Sequence, residues 1–386
     1  MHTIPINTEE NSLEILGGKG RSLARMTRSG FRVPDGFIVT ADAYRDFVNK
    51  CGIQEEIIEL AKPDLKNGYP NFEECSKKIQ LIIESNQTPD STRNEIIEAY
   101  EGLSGTALRM AVRSSANAED LPEFSFAGQQ ETFLNISTSA AIIESVHKCW
   151  ASLWTPQAIS YRHQNGIDQS SVAMAVVVQK MIPSEVSGIL FTANPSSGER
   201  SQIILNSSFG LGEAVVSGQV TPDTFIVDRQ TLNINEKILG PKEQKIVSED
   251  GQGVRIESTN AEERTQSSLS DQQIQELVNT SLQIESIYSG QPQDIEWAFC
   301  NGELHLLQSR PITNLPAQPI EVEWKPTPPA RFVSRRQIVE NMPEPICPLF
   351  EELYLTKGLE APRKKSLMAG GGPMSVSYTH LRAHET

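Results

Sequence analysis

The sequence lacks the marks of several large protein classes. No apolar run reaches the roughly 18 residues that suggest a membrane-spanning helix, and the first residues have neither the basic start nor the apolar stretch of a signal peptide. The five cysteines are scattered without a CxxC pair, which favours reduced thiols over a disulfide framework. The net charge is −15, which disfavours nucleic acid and anionic membranes as partners. These features predict a cytoplasmic protein.

Common nucleotide-binding and nucleophile motifs are also missing. There is no GxxxxGK[ST] phosphate loop. The stretch GLGEAVVSG has two glycines of a dinucleotide fingerprint, but Val215 stands where the third glycine would be. None of the six histidines lies in a recognisable nucleophile motif with Ser or Cys. A phosphate bound here must therefore be held locally by a few cations, backbone N–H groups and a metal.

Length and periodicity predict a mixed α/β chain of two or three domains. Helical spacing dominates residues 54–104, whereas 171–182 is a continuous β-branched run typical of a buried strand. The polar stretch 248–271 predicts a surface loop, and an amphipathic helix follows it over 271–288. A hairpin with Asn-Gly at its turn is predicted over 293–313.

The composition changes after this hairpin. Five prolines within nineteen residues predict an extended linker over 316–331. Residues 332–367 are predicted to begin a further, acceptor-binding domain, but they are too few to build its core. Residues 368–386 show no periodic pattern and are predicted to be a disordered or non-native tail.

Separate residues could form a phosphate site. The GGKG run places Lys19 between glycines at a predicted helix start, where N–H groups and the helix dipole favour an anion. Arg113 is predicted to end an apolar strand, and its planar guanidinium can clamp phosphate oxygens. The small, polar loop 114–128 could lay its N–H groups over a triphosphate. Taken singly, each residue is more often structural than functional.

The predicted hairpin carries hard oxygen ligands and a cation, which suit Mg²⁺ on phosphates: Asp294, Glu296, Gln308 and Arg310. A plain two-residue turn would pair residues whose numbers have an odd sum, and Glu296 and Gln308 would then face opposite sides. A one-residue bulge near Gly302 would bring all four to one face. The metal-site hypothesis therefore predicts a bulged or three-residue turn. Acidic residues at a strand edge are otherwise usually solvated charges.

Six segments of the chain follow the order found in one enzyme family. They are GGKGRSLARM, VPDGFIVTADAY, AVRSSANAEDLPEFSFAGQQETFLNI, QKMIPSEVSGILFTANP, FGLGEAVVSGQVTPD and DIEWAFCNGELHLLQSRPIT. Over about residues 10–315 the chain resembles the N-terminal nucleotide-binding domain of the dikinases, which include phosphoenolpyruvate synthase, pyruvate phosphate dikinase and rifampicin phosphotransferase. The resemblance implies an ATP-grasp fold of two α/β subdomains, which we place at 1–180 and 181–315.

The resemblance also implies roles for individual residues. Lys19 and Arg113 are similar to the family's phosphate-binding catalytic cations, and Glu296 and Gln308 to its Mg²⁺ ligands. The remaining residues assigned to the nucleotide site are Ser114, Ser115, Gly128, Gln129, Gln179, Lys180, Met181, Glu213 and Arg310. The loop 114–128 would cover the triphosphate, and residues 179–181 would lie beside adenine. ATP and Mg²⁺ are the implied cofactors.

Enzymes of this family cleave ATP to AMP and phosphate or pyrophosphate, and they pass the β-phosphoryl group through a histidine on a separate domain. His380 and His384 lack the family's histidine motif, so we expect the phosphocarrier domain to be missing from this chain. The implied acceptors are pyruvate or a rifamycin, and residues 335–360 resemble the start of the antibiotic-binding domain of rifampicin phosphotransferases. Two alternatives stay open: a nucleotide-binding module without phosphotransfer, and an ATP-grasp ligase that releases ADP.

Overall fold

Two large antiparallel sheets, with helices packed on them, carry the predicted site. A computed structural model describes residues 1–66, 69–103, 108–116, 131–249, 253–313 and 315. Within these residues the helices are α1 (Leu13–Arg28), α2 (Ala41–Lys50), α3 (Gln54–Leu60), α4 (Glu73–Ser85), α5 (Asp90–Glu101), α6 (Ser139–Ser152), α7 (Pro156–Gln164), α8 (Glu213–Val216), α9 (Ala261–Thr265) and α10 (Asp271–Ile287). The strands are β1 (Thr3–Pro5), β2 (Gly36–Val39), β3 (Asp64–Lys66), β4 (Tyr69–Asn71), β5 (Met110–Ala116), β6 (Thr132–Ile136), β7 (Met174–Lys180), β8 (Val186–Phe191), β9 (Gln202–Phe209), β10 (Asp223–Asp228), β11 (Ile234–Ile238), β12 (Gln244–Ser248), β13 (Val254–Ser258), β14 (Gln293–Cys300) and β15 (Glu303–Pro311).

The strand order divides the chain between the two sheets. The first sheet has the order β1-β2-β7-β5-β6 and the second β11-β10-β9-β8-β14-β15, and neighbouring strands in both are antiparallel. The first sheet uses residues up to Lys180, and the second begins at Val186. The mixed α/β class is confirmed, while the subdomain limits 1–180 and 181–315 stay predictions.

Strand β7 shows why a continuous apolar run folds as a central strand. Its sequence MAVVVQK lies between β2 and β5, and six of its seven residues are buried. Helices α1 and α2 both pack against it. A strand that is covered on both faces needs apolar side chains at successive positions rather than at alternate ones. The predicted strand over 171–182 is thus confirmed for its middle seven residues.

Local capping explains where the sequence predictions held and where they were wrong. Helix α10 begins as predicted, because Ser270 and Gln273 form a capping box. The stretch 248–271, predicted as a loop, instead contains β13 and the short helix α9, which begins at a second capping box formed by Asn260 and Glu263. Polar composition suggested a loop, but strand pairing with β12 and this cap stabilise regular structure. The helical prediction for 54–104 missed the short pair β3 and β4.

Helix α1 joins the two sheets. It packs against β5 and β7 of the first sheet and against β15 of the second. Its apolar side chains Leu16, Leu23 and Met26 are fully buried in a single core, which also contains Val176 of the first sheet and Trp297 of the second. The residues at the start of α1 are therefore fixed relative to both sheets.

A charged pair lies inside the second sheet region. Asp223 and Lys242 are both fully buried, and the Lys242 Nζ lies 2.5 Å from Asp223 Oδ1. The same carboxylate accepts hydrogen bonds from the Gly240 N–H and from the N–H and hydroxyl of Ser268. Buried charges are tolerated when they are paired and hydrogen-bonded in this way. The network ties β10 to the segments that precede β12 and α10.

Several predictions lie outside the described residues. Residues 318–386 fall there entirely, and with them most of the predicted linker and both predicted segments after it. The part of the predicted triphosphate loop after Ala116 also falls there. Among the helices that are described, none combines the length and the apolar character needed to span a bilayer.

Candidate functional site

Helix α1 is interrupted at the GGKG run. Gly17 has φ 66° and ψ 177°, a backbone conformation that is open almost only to glycine, and helical geometry resumes after it. Lys19 therefore lies in the first turn after the break, close to the predicted helix start. Its side chain is largely buried, and the ammonium donates to the Ser114 carbonyl oxygen at 2.9 Å. A lysine cation is thus held against β5.

Ser115 ties this helix start to the first sheet. Its hydroxyl donates to the Leu16 carbonyl at 2.9 Å and accepts from the Gly20 N–H at 3.1 Å. A methyl group at Gly17 would lie 2.6 Å from the Ser115 carbonyl carbon and would overlap its oxygen. The glycine therefore permits the close approach that brings Lys19 to the strand.

Strand β5 continues beyond Arg113, so the prediction that it ends there was wrong. Ser114 and Ser115, which were assigned to the loop, pair with Val176 and Ala175 of β7 and are buried. The backbone ladder extends because α1 and the backbone of Glu131 satisfy the two hydroxyl groups. Gly128 and Gln129 were also predicted to belong to the nucleotide site. Both lie outside the described part of the chain.

Arg113 reaches from the first sheet to the second. Its Nη1 lies 3.4 Å from Glu296 Oε2 and 3.4 Å from the Leu307 carbonyl oxygen. Both distances exceed the roughly 2.7–2.9 Å of a strong charge-assisted hydrogen bond. Its Nε is buried, and no described residue accepts from it. The guanidinium is thus well placed but weakly bonded.

The hairpin turn differs from the predicted one. Asn301 and Gly302 both have positive φ, at 51° and 75°, and they join the paired residues Cys300 and Glu303. This is a plain two-residue turn, of the kind that Asn-Gly favours. The prediction of a bulged or three-residue turn was therefore wrong.

The predicted register nevertheless occurs, because the bulge lies further along β15. Leu307 has no partner on β14, and beyond it Glu296 pairs with Gln308 and Asp294 with Arg310. Directly opposed residues of an antiparallel pair project from the same face. The prediction that these four side chains share one face of the sheet is confirmed.

Asp294 is firmly paired with Arg310. Its Oδ2 accepts from both Nε and Nη2 of the guanidinium, each at 2.8 Å. Burial raises the pKa of the Asp294 carboxyl, the Arg310 charge opposes that rise, and the nearby Glu296 adds to it. Asp294 is 8% exposed and hence no solvated edge charge. The pair fixes a cation on the face that carries Glu296 and Gln308.

Glu213 completes the charged cluster. It is the first residue of the short helix α8. Burial raises its pKa, while Arg113 lowers it and Glu296 raises it. These effects put the three charged groups within electrostatic range of one another. We call Arg113, Glu213, Asp294, Glu296 and Arg310 the charged cluster.

The residues predicted to lie beside adenine are found at the end of β7. The Gln179 side chain is buried and donates to the Pro34 carbonyl at 3.3 Å, and the Lys180 ammonium lies 3.2 Å from Asp35 Oδ2. Met181 borders a small apolar cluster that is separate from the main core. The buried members of that cluster are Leu211, Ala214, Val220 and Ile246. The roles assigned to residues 179–181 stay predictions.

Two features of this site escaped the sequence analysis. Gly17 was noted only as a neighbour of Lys19, although two consecutive glycines inside a helical pattern signal a break or a close approach. The unpaired Leu307 left no local signal, since nothing in the surrounding strand sequence marks a bulge there.

The donor set suits a hard divalent cation. Glu296 and Gln308 present oxygen atoms from opposed positions on β14 and β15. Within the described ranges no group of three or more His, Cys, Asp or Glu side chains is arranged around a metal position. Mg²⁺ commonly takes only one or two protein ligands and completes its shell with phosphate oxygens and water. Glu296 and Gln308 therefore fit Mg²⁺ that is shared with a nucleotide.

Residues 13–326 match the family described as "Pyruvate phosphate dikinase, AMP/ATP-binding domain". The chain belongs to this family. The mixed α/β fold with two antiparallel sheets is thus the fold of this AMP/ATP-binding domain, while its assignment to the ATP-grasp type stays what the resemblance implies. The charged cluster and the GGKG helix start lie inside the matched residues.

Curated relatives of this AMP/ATP-binding domain include enzymes with different names. The probable phosphoenolpyruvate synthase of Archaeoglobus fulgidus is 44% identical over 82% of this chain and 42% of its own length. The phosphoenolpyruvate synthase of Pyrococcus furiosus is 40% identical over 79% of this chain and 43% of its own length. The rifampicin phosphotransferase of Streptomyces sviceus is 41% identical over 80% of this chain and 35% of its own length. The chain thus spans less than half the length of these relatives.

Among solved structures, a D-alanine–D-alanine ligase from Bacillus anthracis aligns with 67% of this chain and 64% of its own. The identity is 11% and the TM-score 0.23, a similarity that carries no argument about fold or function.

Proposed function

We propose that this chain is the ATP-binding module of a dikinase-type phosphotransferase. In this reaction ATP and water yield AMP and inorganic phosphate, and the β-phosphoryl group passes to a histidine on another domain and then to pyruvate or a rifamycin. The observation that carries the proposal is the charged cluster, in which Arg113 of the first sheet meets carboxylates and an arginine of the second, while Lys19 is held against the backbone of Ser114, the residue after Arg113. Phosphoryl transfer depends mainly on positioning and on neutralising charge, which such a cluster supplies.

Three cations would hold the triphosphate. Arg113 and Arg310 present planar guanidinium groups that match phosphate oxygens in pairs. Lys19 would add a point charge at the first turn of the resumed helix, where the helix dipole also favours an anion. Asp294 would keep Arg310 in a fixed orientation through its two contacts of 2.8 Å.

Glu296 and Gln308 would hold Mg²⁺, which neutralises phosphate charge when it is bound. The small apolar cluster beside Met181 and α8 suits the flat, apolar faces of adenine, as the linings of nucleotide pockets usually do. Residues 179–181 would then lie at the edge of the base, as the resemblance implies.

Replacing Arg113 tests the proposal directly. Arg113→Ala is expected to weaken binding of ATP with Mg²⁺ by about 10- to 150-fold, since hydrogen bonds to charged groups contribute about 1.5–3 kcal/mol each. Isothermal titration calorimetry on the full chain measures the affinity, and circular dichroism checks the fold. Arg45→Ala is the matched control, because Arg45 is an exposed arginine paired with Asp42 on α2. Equal ATP affinities for folded wild-type and Arg113→Ala protein would contradict the proposal.

A second experiment separates transfer from mere binding. The chain is mixed with ATP, Mg²⁺ and a histidine domain supplied from a full-length relative, and the products are identified. We expect AMP, phosphate and a phosphorylated histidine. An ATP-bound sample that leaves the histidine unmodified would favour the binding-only alternative, and release of ADP without AMP would favour the ligase alternative.

A further inference from the structure

We propose that Arg113 is the resident counter-ion of Glu296, and that the two separate when Mg²⁺ takes the carboxylate and a phosphate takes the guanidinium. The inference rests on the proposed function, because it concerns the order of events at the same site. It gives Arg113 a second role besides contact with the nucleotide: it governs how ATP binding depends on the metal.

The two arginine–carboxylate pairs of the charged cluster differ in strength. Arg310 and Asp294 share two contacts of 2.8 Å through a single carboxylate oxygen. Arg113 and Glu296 share one contact of 3.4 Å, and both side chains retain some exposure, at 14% and 20%. The first pair is therefore a fixed structural unit, whereas the second is loose and reachable.

The hydrogen-bond donors of the Arg113 guanidinium are poorly satisfied in this position. Its other contact, to the Leu307 carbonyl, is also 3.4 Å long, and no described residue accepts from its buried Nε. Buried polar groups normally have a hydrogen-bond partner, so an unmatched donor calls for an explanation. A phosphate group offers several acceptor oxygens with full charge, which would bond this guanidinium better than its present partners do.

Charge balance favours the exchange. Arg113 interacts with two carboxylates, Glu213 and Glu296, which leaves this trio with an excess negative charge. A divalent cation at Glu296 would reverse that sign and repel the guanidinium, while ATP would attract it. In the alternative arrangement, Glu296 would bind Mg²⁺ through Oε1 while Arg113 stays paired with Oε2. The experiment must distinguish this arrangement from the exchange.

If Arg113 changes partner in this way, bound Mg²⁺ should raise the affinity for ATP, and bound ATP should raise the affinity for Mg²⁺. ATP without metal must detach Arg113 from a Glu296 carboxylate that stays unpaired and repels phosphate. Mg²⁺ removes that penalty, so the coupling between the two ligands is positive and reciprocal. Neutralising Glu296 should therefore release Arg113 for ATP even when no metal is present.

The experiment measures ATP affinity of the full chain in EDTA and in Mg²⁺ by calorimetry. Wild-type protein is expected to bind ATP at least about tenfold more tightly with Mg²⁺, a factor equal to about 1.4 kcal/mol. Glu296→Gln is expected to bind ATP in EDTA about tenfold more tightly than wild type does, and to lose most of the Mg²⁺ dependence. Glu303→Gln is the matched control: it makes the same change at an exposed position of the hairpin, where Glu303 pairs with Arg32.

A double-mutant cycle tests whether the release of Arg113 causes the gain in ATP affinity expected for Glu296→Gln. In an Arg113→Ala background, Glu296→Gln should raise affinity in EDTA clearly less than it does in the wild-type background, because only the repulsion between Glu296 and phosphate is then relieved; Arg113→Gln, which also removes the positive charge, replaces Arg113→Ala if its binding is too weak to measure. A Glu296→Gln variant that gains no affinity in EDTA would overturn the inference, as would an equal gain in the Arg113 variant. If folded wild-type protein binds ATP in neither condition, the proposed function fails instead, and the inference falls with it.

Discussion

Lys242→Met is expected to lower the free energy of unfolding by about 3–5 kcal/mol, the usual cost of removing one partner from a buried ion pair. Lys242 and Asp223 are both inaccessible to solvent, and their charged atoms lie 2.5 Å apart. The methionine would fill most of the space but would leave the Asp223 carboxylate without its counter-charge. Urea or guanidinium denaturation of the full chain measures the loss from the shift in midpoint.

Lys237→Met provides the comparison, because Lys237 pairs with Asp271 at the surface. An exposed pair contributes at most about 1 kcal/mol, so this variant should unfold almost like wild type. A double variant, Asp223→Asn with Lys242→Met, should recover part of the stability, since it removes the uncompensated charge. If Lys242→Met and Lys237→Met unfold at the same denaturant concentration, the buried pair does not contribute as argued.

Gly17→Ala is the second substitution with a large expected effect. A residue with a side chain is strained at φ 66° and ψ 177° by about 1–3 kcal/mol. The new methyl group would also overlap the Ser115 carbonyl, and relieving such overpacking costs about 1–3 kcal/mol more. We expect a loss of unfolding free energy near 3 kcal/mol, together with weaker ATP binding, because the helix start that carries Lys19 must move away from β5.

Gly30→Ala separates the effect of backbone strain from the effect of steric overlap with Ser115. Gly30 follows the end of α1 with φ 83°, and the space around its Cα is open. An alanine there carries the left-handed backbone strain of about 1–2 kcal/mol and meets no other atom. It should leave ATP affinity unchanged. Equal effects of the two substitutions on stability and affinity would show that the contact with Ser115 does not position Lys19.

The hairpin shows how far side-chain chemistry alone can predict a site. The need to put Glu296 and Gln308 on one face predicted the register correctly, because strand periodicity leaves only two choices. The place of the extra residue could not be derived in the same way. Asn301 and Gly302 favour a tight two-residue turn so strongly that the irregularity moves to Leu307. The Leu307 carbonyl contacts Arg113 of the first sheet, a long-range contact that the hairpin sequence does not reveal.

Strand β5 shows why the end of this strand was predicted too early, at Arg113. A run that begins Ser114, Ser115, Ala116 looks like a loop by composition, since nothing in it is strongly apolar. The structure makes it a strand because β7 supplies a hydrogen-bonding edge and because Ser115 finds its partners in α1, about a hundred residues earlier in the chain. Such distant partners override local propensity, and one sequence contains no local trace of them.

The contact between α1 and β15 has a consequence for the order in which the protein is synthesised. The Ser22 hydroxyl donates to the Ser309 carbonyl across 287 positions of the chain, and Ser309 lies between Gln308 and Arg310. A ribosome therefore makes Lys19 early and the face that carries Glu296 and Gln308 much later. If the proposed function holds, a nascent chain offers ATP only half of its proposed partners until β15 has emerged, and nucleotide can stabilise the domain only after that point.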